Sequence, residues 1–291
     1  MLNVESYKPK KSVARKTPRG FSKATTPKSD KPRFDIKSDP KVIFRAAIYT
    51  GTTIALIGLI VFSAYKIIRW QAEKDLTDQQ IIALQEHTEV KEIKVINSDF
   101  PALMSVDLSS LQGSNPDTVG WINVPGTNIN YPFVQTDNNN YYLKHSFNRY
   151  WSEAGWVFLD YRNSKELNNQ NQIIYAHGRV DGSMFGSLSN VLTKEWQNNP
   201  NNHYVKISTA SADMLWQVIS TYQITKTDDY LIMNFNNSTH FYDFINMILA
   251  RSNYNYNQSI DENDKLLTLS TCVGATDRAV LHAKLVKLIE K

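Results

Sequence analysis

The sequence contains a single cysteine, Cys272, among its 291 residues. No intramolecular disulfide is therefore possible, which is typical of a reducing compartment or of an exported protein that folds without disulfides. No glycine-rich phosphate loop is present, so no nucleotide cofactor is indicated. The acidic pairs at 228–229 and 261–262 are typical of solvated loops rather than of cation sites. We therefore expect neither a cofactor nor a metal.

Positive charge is concentrated at the N-terminus. The net charge is +4, but residues 1–41 hold twelve Lys and Arg against four acidic residues, so the rest of the chain is slightly acidic. A uniformly basic nucleic-acid-binding protein would not divide its charge in this way, so we expect no nucleic-acid partner. Residues 1–41 are also rich in Lys, Pro, Ser and Thr and lack apolar periodicity, which predicts a disordered tail.

A long apolar run follows this tail. Residues 46–65 are twenty positions without a charge, and as a helix they would span about 30 Å, the thickness of a hydrocarbon core. A cleaved signal peptide or a buried core helix would be alternatives, but a long tail precedes the run and no small-residue cleavage site follows closely. We predict a transmembrane helix over 42–68. The basic tail predicts a cytoplasmic N-terminus and an extracellular remainder in a single-pass protein of the cell membrane.

The remainder divides into a linker and a β-rich domain. Thr77-Asp-Gln-Gln80 has the spacing of a capping box, which predicts that a helix begins there and reaches about residue 90, within an extracellular segment 69–100. From 101 to 291, short β-rich runs alternate with turns, which favours a closed or nearly closed barrel. The predicted strands are 120–124, 155–159, 172–176, 203–207, 215–219, 266–270 and 279–286.

One amphipathic helix is predicted to pack on this barrel, over residues 239–251. Its apolar residues recur at helical spacing and form one stripe. They are Phe241, Phe244, Ile245, Ile248 and Leu249.

The last two strands bring the cysteine near an arginine. If they pair symmetrically about a loop 273–277, Cys272 and Arg278 face each other, with Cβ atoms about 4.5–5.5 Å apart. A guanidinium favours the thiolate form of a neighbouring cysteine and can hydrogen-bond an oxyanion that forms when the thiolate attacks a carbonyl. The alternative is a surface arginine near a buried, inert thiol.

A thiol nucleophile also needs a group that moves protons, and histidine is the first candidate. His282 lies within an apolar strand and is expected to be structural. His177 ends a predicted strand and precedes Gly178, at a strand-to-loop junction of the kind where reactive side chains are found. Spacing therefore favours His177 among six histidines, which also include His87, His145, His203 and His240.

These segments resemble a known family. Thr268-Leu-Ser-Thr-Cys272 matches the TLxTC signature of sortases, and Tyr175-Ala-His177-Gly, followed by Ser183-Met-Phe185-Gly-Ser-Leu188, resembles the segment that carries the catalytic histidine. The order of Tyr131-Pro-Phe-Val-Gln135, Asn139-Asn-Tyr-Tyr-Leu143 and 155–163 is similar to that of class B sortases. The resemblance covers residues 75–291. It departs at Ala176, where the family often has Gly, and in the short loop after Cys272.

The resemblance implies a mainly β fold: a closed eight-stranded barrel over 101–291 with peripheral helices, preceded by an N-terminal helix. It implies that Cys272, His177 and Arg278 are catalytic; Lys284 is the alternative to Arg278, because no other arginine follows the cysteine. It also implies that four residues line the substrate groove. They are Ser270, Asn139, Leu143 and Tyr230.

The function implied is that of a cysteine transpeptidase. It would cleave a Thr-containing C-terminal sorting motif of secreted surface proteins, form a thioacyl-enzyme, and transfer the protein to an amine of the cell wall. One variant would use a lysine side chain of a pilin as the acceptor. A cysteine protease that releases acid is a second class, and an anchored receptor or adhesin domain with an inert Cys272 is a third.

Overall fold

The computed structural model describes residues 39–94, 99–272 and 277–291, and for Cys272 it describes the backbone alone. The predicted disordered tail, up to residue 38, and most of the predicted loop 273–277 lie outside the described residues. The described residues form two units, one up to Val61 and one from Phe62 onward.

Helices and strands alternate irregularly along the chain. The helices of α type are α1 (Pro40–Glu86), α2 (Ser109–Ser114), α3 (Lys194–Gln197) and α4 (Ser238–Arg251). The strands are β1 (Val90–Ile93), β2 (Leu103–Val106), β3 (Thr118–Asn123), β4 (Asn130–Val134), β5 (Phe158–Leu159), β6 (Asn171–His177), β7 (Tyr204–Thr209), β8 (Ala212–Thr225), β9 (Leu266–Cys272) and β10 (Asp277–Glu290). Short 3-10 turns at 141–143, 186–192 and 200–202 complete the secondary structure.

Helix α1 is one continuous helix of 47 residues. In the described part of the chain it is the one helix long and apolar enough to cross a membrane, and none of its most apolar window is buried. The predicted helix start at Thr77 is wrong, because Thr77 lies inside α1 and its hydroxyl donates to the carbonyl of Glu73, one turn earlier, at 2.8 Å. Neither proline nor glycine interrupts residues 59–86, so nothing ends the first helix before the second could begin.

Eight strands close into a barrel in the order β10-β8-β7-β3-β4-β5-β6-β9. Two neighbouring pairs, β4 with β5 and β6 with β9, are parallel, and the other pairs with a described register are antiparallel. Strands β1 and β2 form a separate two-stranded sheet. The prediction of a closed eight-stranded barrel is therefore confirmed.

Alternation of side chains along β9 separates two apolar clusters. Leu267 and Leu269 point into the barrel, where large side chains such as Trp121 fill the interior. Leu266 belongs instead to an outer cluster, which also contains the buried face of α4. Four of the five residues of the predicted stripe on α4 are buried, whereas Leu249 is 39% exposed at its edge.

The segment around Trp156 differs from its prediction. A strand was expected over 155–159, but β5 comprises Phe158–Leu159 alone. Gly155 adopts a φ of +61°, outside the range of an extended strand. The backbone N–H of Trp156 then donates to the carbonyl of Tyr142 at 2.8 Å rather than to a strand neighbour. The Trp156 indole is 1% exposed, and its packing decides the local backbone conformation here in place of the strand that the β-rich sequence favours.

His282 is buried in a polar network within the wall of the barrel. Its Nε2 lies 2.9 Å from the hydroxyl of Tyr222 and its Nδ1 lies 2.9 Å from the hydroxyl of Thr268. Burial lowers the pKa of His282 to about 3, and the positive charge of Arg251 contributes in the same direction. The structural role expected for His282 agrees with this position.

We expect acid to destabilise the fold through His282. The ordinary pKa of His282 is 6.5. Below that pH the imidazole is protonated in the unfolded chain but stays neutral in the native state. His282 should therefore lower the free energy of unfolding by about 1.4 kcal/mol per pH unit as the pH falls from about 6.5 towards 4. Urea unfolding of the full chain in detergent, followed by near-UV circular dichroism, measures that slope. His282→Gln should flatten it, and an equal slope in both proteins would contradict the assignment.

Candidate active site

Parallel pairing of β6 with β9 brings the histidine to the cysteine. The register runs from Asn171 opposite Leu266 to His177 opposite Cys272, the last residue of each strand. Neighbouring strands lie about 4.8 Å apart, so the two backbones are adjacent where both strands end. Two residues 95 positions apart in the sequence are thereby neighbours at one end of the barrel.

His177 is held at its backbone and at its ring. Its carbonyl accepts from the N–H of Phe185 at 3.0 Å, which closes the turn that follows β6. Its Nε2 lies 2.7 Å from the carbonyl oxygen of Leu143. A carbonyl oxygen only accepts, so Nε2 carries a hydrogen and the orientation of the ring is defined.

Gly155 allows the backbone to approach the His177 ring. Its φ of +61° lies in the left-handed region, and a Cβ atom there would lie 2.5 Å from the carbonyl oxygen of Tyr142 and 3.1 Å from Cδ2 of His177. A side chain at this position would therefore press on the segment 142–143 and on the imidazole together.

Arg278 lies at the start of β10 and is 6% exposed. Its Nη1 donates to the hydroxyl oxygen of Tyr230 at 3.3 Å, and that hydroxyl lies 2.9 Å from Oγ of Ser270. Val280 pairs with Ser270 across β10 and β9. Continuing this register by two residues predicts Arg278 opposite Cys272, which is the symmetric pairing expected from the sequence.

A buried carboxylate lies beneath β6. Asp160 is fully buried and accepts from Nε and Nη2 of Arg162 at 2.9 and 2.7 Å and from the hydroxyl of Tyr175 at 3.0 Å. Burial acts to raise the pKa of Asp160, but the hydrogen bonds and charge of Arg162 outweigh it and the pKa lies below its ordinary value. Tyr175 precedes His177 by two residues, so this ion pair anchors the strand that carries the histidine.

A family model for the sortase domain matches residues 122–286, which contain these segments. The chain belongs to the sortase family. Sortase B from Listeria monocytogenes is 30% identical over 239 residues, covering 80% of this chain and 95% of that protein. Sortase B from Staphylococcus aureus is 30% identical over 243 residues, covering 82% and 97%.

Solved structures agree with the class. The fold is similar to that of sortase B from B. anthracis in complex with AAEK1, with a TM-score of 0.64, 31% identity and coverage of 74% of this chain and 99% of that one. It is also similar to a Staphylococcus aureus sortase B–substrate complex, with a TM-score of 0.59, 32% identity and coverage of 62% and 84%. This sortase is therefore a sortase B-like cysteine transpeptidase.

The structure brings several of the predicted site residues of this sortase together. Leu143 is partly exposed and reaches His177 through its carbonyl. Ser270 and Tyr230, which were expected to line a groove, are both fully buried. The hydroxyl of Tyr230 contacts Oγ of Ser270 and accepts a hydrogen bond from Arg278, near the start of β10. Asn139 is partly exposed, and its side-chain oxygen accepts from the N–H of Tyr161 at 2.9 Å. Lys284, the alternative to Arg278, pairs with Asp264 at 3.7 Å, away from these contacts.

The sequence did not reveal the groups that orient His177. The carbonyl of Leu143 is a backbone atom, which no residue pattern identifies, and Gly155 reads as a strand start. Asp160, Tyr175 and Arg162 all lie within segments that resemble the family, but their mutual contact depends on the pairing of β5 with β6. Among the described residues, no group of three or more His, Cys, Asp or Glu is arranged to hold a metal ion.

We expect Gly155→Ala to impair both stability and transfer activity. The added Cβ meets backbone at 2.5 Å in a left-handed conformation, so the free energy of unfolding should fall by about 1–3 kcal/mol. Displacement of the His177 ring should lower the turnover number about tenfold or more. Thermal unfolding and a peptide transfer assay measure the two effects.

Gly113→Ala provides the matched control. Gly113 lies in α2, and a Cβ there meets nothing within 4 Å. Its replacement should leave activity unchanged and keep or slightly raise stability. Wild-type behaviour of Gly155→Ala would show that the approach to His177 needs no glycine.

Proposed function

We propose that this sortase, anchored in the cell membrane, cleaves a short Thr-containing motif near the C-terminus of secreted surface proteins and joins them to an amine of the cell wall. Cys272 would be the nucleophile, His177 the proton carrier and Arg278 the oxyanion donor. The observation that carries this proposal is the strand register, with His177 opposite Cys272 and Arg278 two residues beyond the Val280–Ser270 pair.

The first half-reaction would form a thioester. The Cys272 thiolate attacks the carbonyl carbon of the Thr residue, and the carbonyl oxygen becomes an oxyanion. The Arg278 guanidinium can donate to that oxyanion, and it keeps its proton throughout. Protonated His177 gives a proton to the departing nitrogen, the C–N bond breaks, and the thioacyl-enzyme remains.

The second half-reaction would return the site to its starting state. An incoming amine attacks the thioester carbon and loses a proton to His177. The C–S bond breaks, the thiolate is released and a new amide forms. The carbonyl of Leu143, 2.7 Å from Nε2 of His177, keeps the ring in one orientation, so that it can act as acid in the first step and as base in the second.

The four groove residues would divide into two layers. Asn139 and Leu143 are partly exposed beside the catalytic segment, and we propose that they contact the sorting motif. Ser270 and Tyr230 are fully buried, and we propose that they support the groove from below by holding Arg278. A hydroxyl that accepts from a buried guanidinium lowers the cost of keeping its charge out of water.

Membrane anchoring is supported by α1 and by the sequence before it. The uncharged run 46–65 lies within the exposed apolar part of α1, and the twelve basic residues of 1–41 favour a cytoplasmic N-terminus. The barrel would then lie outside the cell, where both secreted substrates and wall amines are found.

We expect transfer to require all three catalytic residues. The full chain in detergent, given Thr-containing peptides and an amine such as oligoglycine, should form an amide product that mass spectrometry identifies. Cys272→Ala should abolish it, His177→Ala should lower the rate about 10²–10⁴-fold, and Arg278→Ala about 10²–10³-fold. Full activity of Cys272→Ala would overturn the assignment.

Two controls sharpen this experiment. His87→Ala removes an exposed histidine just after α1 and should leave the rate unchanged. Acid product at the same rate with and without the amine would instead identify a cysteine protease, and preference for a pilin lysine over wall peptides would identify the pilin-polymerising variant.

A further inference from the structure

The connection between β8 and α4 is tied to the end of α4. It carries Asp228, Asp229 and Tyr230 in succession. Arg251, the last residue of α4, returns to this segment and binds Asp229 with two hydrogen bonds, from Nη1 to Oδ1 at 2.9 Å and from Nη2 to Oδ2 at 2.6 Å. The next residue, Tyr230, contacts both Ser270 and Arg278.

We propose that Arg251 is a positioning residue for catalysis: through Asp229 it holds Tyr230, and through Tyr230 it holds Arg278 in place for the reaction. The inference rests on the proposed role of Arg278 as the oxyanion donor. It assigns a function to a residue pair, Arg251 and Asp229, that lies outside the catalytic segments.

The hydroxyl of Tyr230 is a buried contact of the Arg278 guanidinium. Tyr230 accepts from Nη1 at 3.3 Å and lies 2.9 Å from Oγ of Ser270, and all three side chains are buried. The carboxylate of Asp228 lies 4.0 Å from Nη1 of Arg278, and its side chain is 79% exposed. An exposed carboxylate at that distance contributes little orientation. A shift of Tyr230 would therefore displace a hydrogen-bond partner of the guanidinium.

The contact that holds the segment is bidentate, which fixes direction as well as distance. Two parallel hydrogen bonds between a guanidinium and a carboxylate resist rotation, whereas an ammonium makes one point contact. Hydrogen bonding to Arg251 is the main cause that keeps the pKa of Asp229 below its ordinary value. The pair is thus charged across the neutral pH range, and Arg251 also balances the second of two adjacent carboxylates.

Arg251 is itself supported by the barrel. Its guanidinium carbon lies 5.9 Å from the ring centroid of Tyr222, and α4 is anchored through Phe244 and Ile248 in the outer cluster. The Tyr222 ring meets the Tyr230 ring edge to face, with centroids 6.3 Å apart. The segment 228–230 therefore has little freedom once Arg251 pairs with Asp229, because α4 supports Arg251 and the Tyr222 ring packs against Tyr230.

The test compares Asp229→Asn and Arg251→Lys with the wild-type full chain in detergent. Two quantities are measured: the turnover number and KM for thioester formation, and the rate of Cys272 alkylation by iodoacetamide as a function of pH. A merely structural ion pair would change the melting temperature and neither of these.

We expect each variant to lower the turnover number about tenfold with KM within about twofold, because an oxyanion donor acts in the transition state. We also expect the alkylation profile to move to higher pH by about half a unit to one unit, because a displaced Arg278 favours the Cys272 thiolate less. The charge-swapped pair Asp229→Arg with Arg251→Asp should recover part of both losses.

Asp264→Asn is the matched control. Asp264 forms an ion pair with Lys284, with 3.7 Å between Oδ2 and Nζ, and Lys284 lies on the same strand as Arg278. Removing the charge of Asp264 should change neither the turnover number nor the alkylation profile. A fall in melting temperature in Asp229→Asn with wild-type turnover and an unmoved alkylation profile would overturn the proposal. Alkylation needs no substrate, so a shifted profile in a chain without transfer activity would sustain the positioning role and reject the proposed function instead.

Discussion

The parallel pairing of β6 with β9 is the contact on which the rest of this structure depends. It joins the middle of the chain to its end, completes the ring of eight strands, and sets His177 opposite Cys272. Because side chains alternate along a strand, a slip of one residue would turn every side chain of β6 to the other face. The buried apolar residues of the two strands therefore fix the register, and the register places His177 opposite Cys272.

Near that pairing, Asp160 and Arg278 are each buried with hydrogen-bond partners. Asp160 receives hydrogen bonds from Arg162 and Tyr175, and Arg278 donates to Tyr230. Unpaired, such groups would cost several kcal/mol each in a barrel wall. Paired, they are specific, because a hydrogen bond tolerates less displacement than an apolar contact. This explains how a barrel made mostly of apolar side chains can orient an imidazole and a guanidinium.

Much of the outline was readable from residue patterns. Short β-rich runs between turns located six barrel strands and the position of a seventh, β5. The apolar stripe located α4, and the ordered motifs around Cys272 and His177 indicated a class B sortase. Other features were misread for physical reasons. The Thr77 capping box lies inside α1 because no breaker ends the preceding helix, and the strand expected at 155–159 is short because Gly155 turns the backbone for Trp156.

The sequence by itself determined the apolar segment, the barrel class and the identity of the thiol, since these depend on local composition and period. Only the tertiary structure decided which carbonyl orients His177, that Tyr230 and Ser270 lie buried beside Arg278, and that Arg251 returns to Asp229. Those contacts join residues between 22 and 48 positions apart through side chains or backbone atoms. Strand register and packing create them, and no local pattern encodes either.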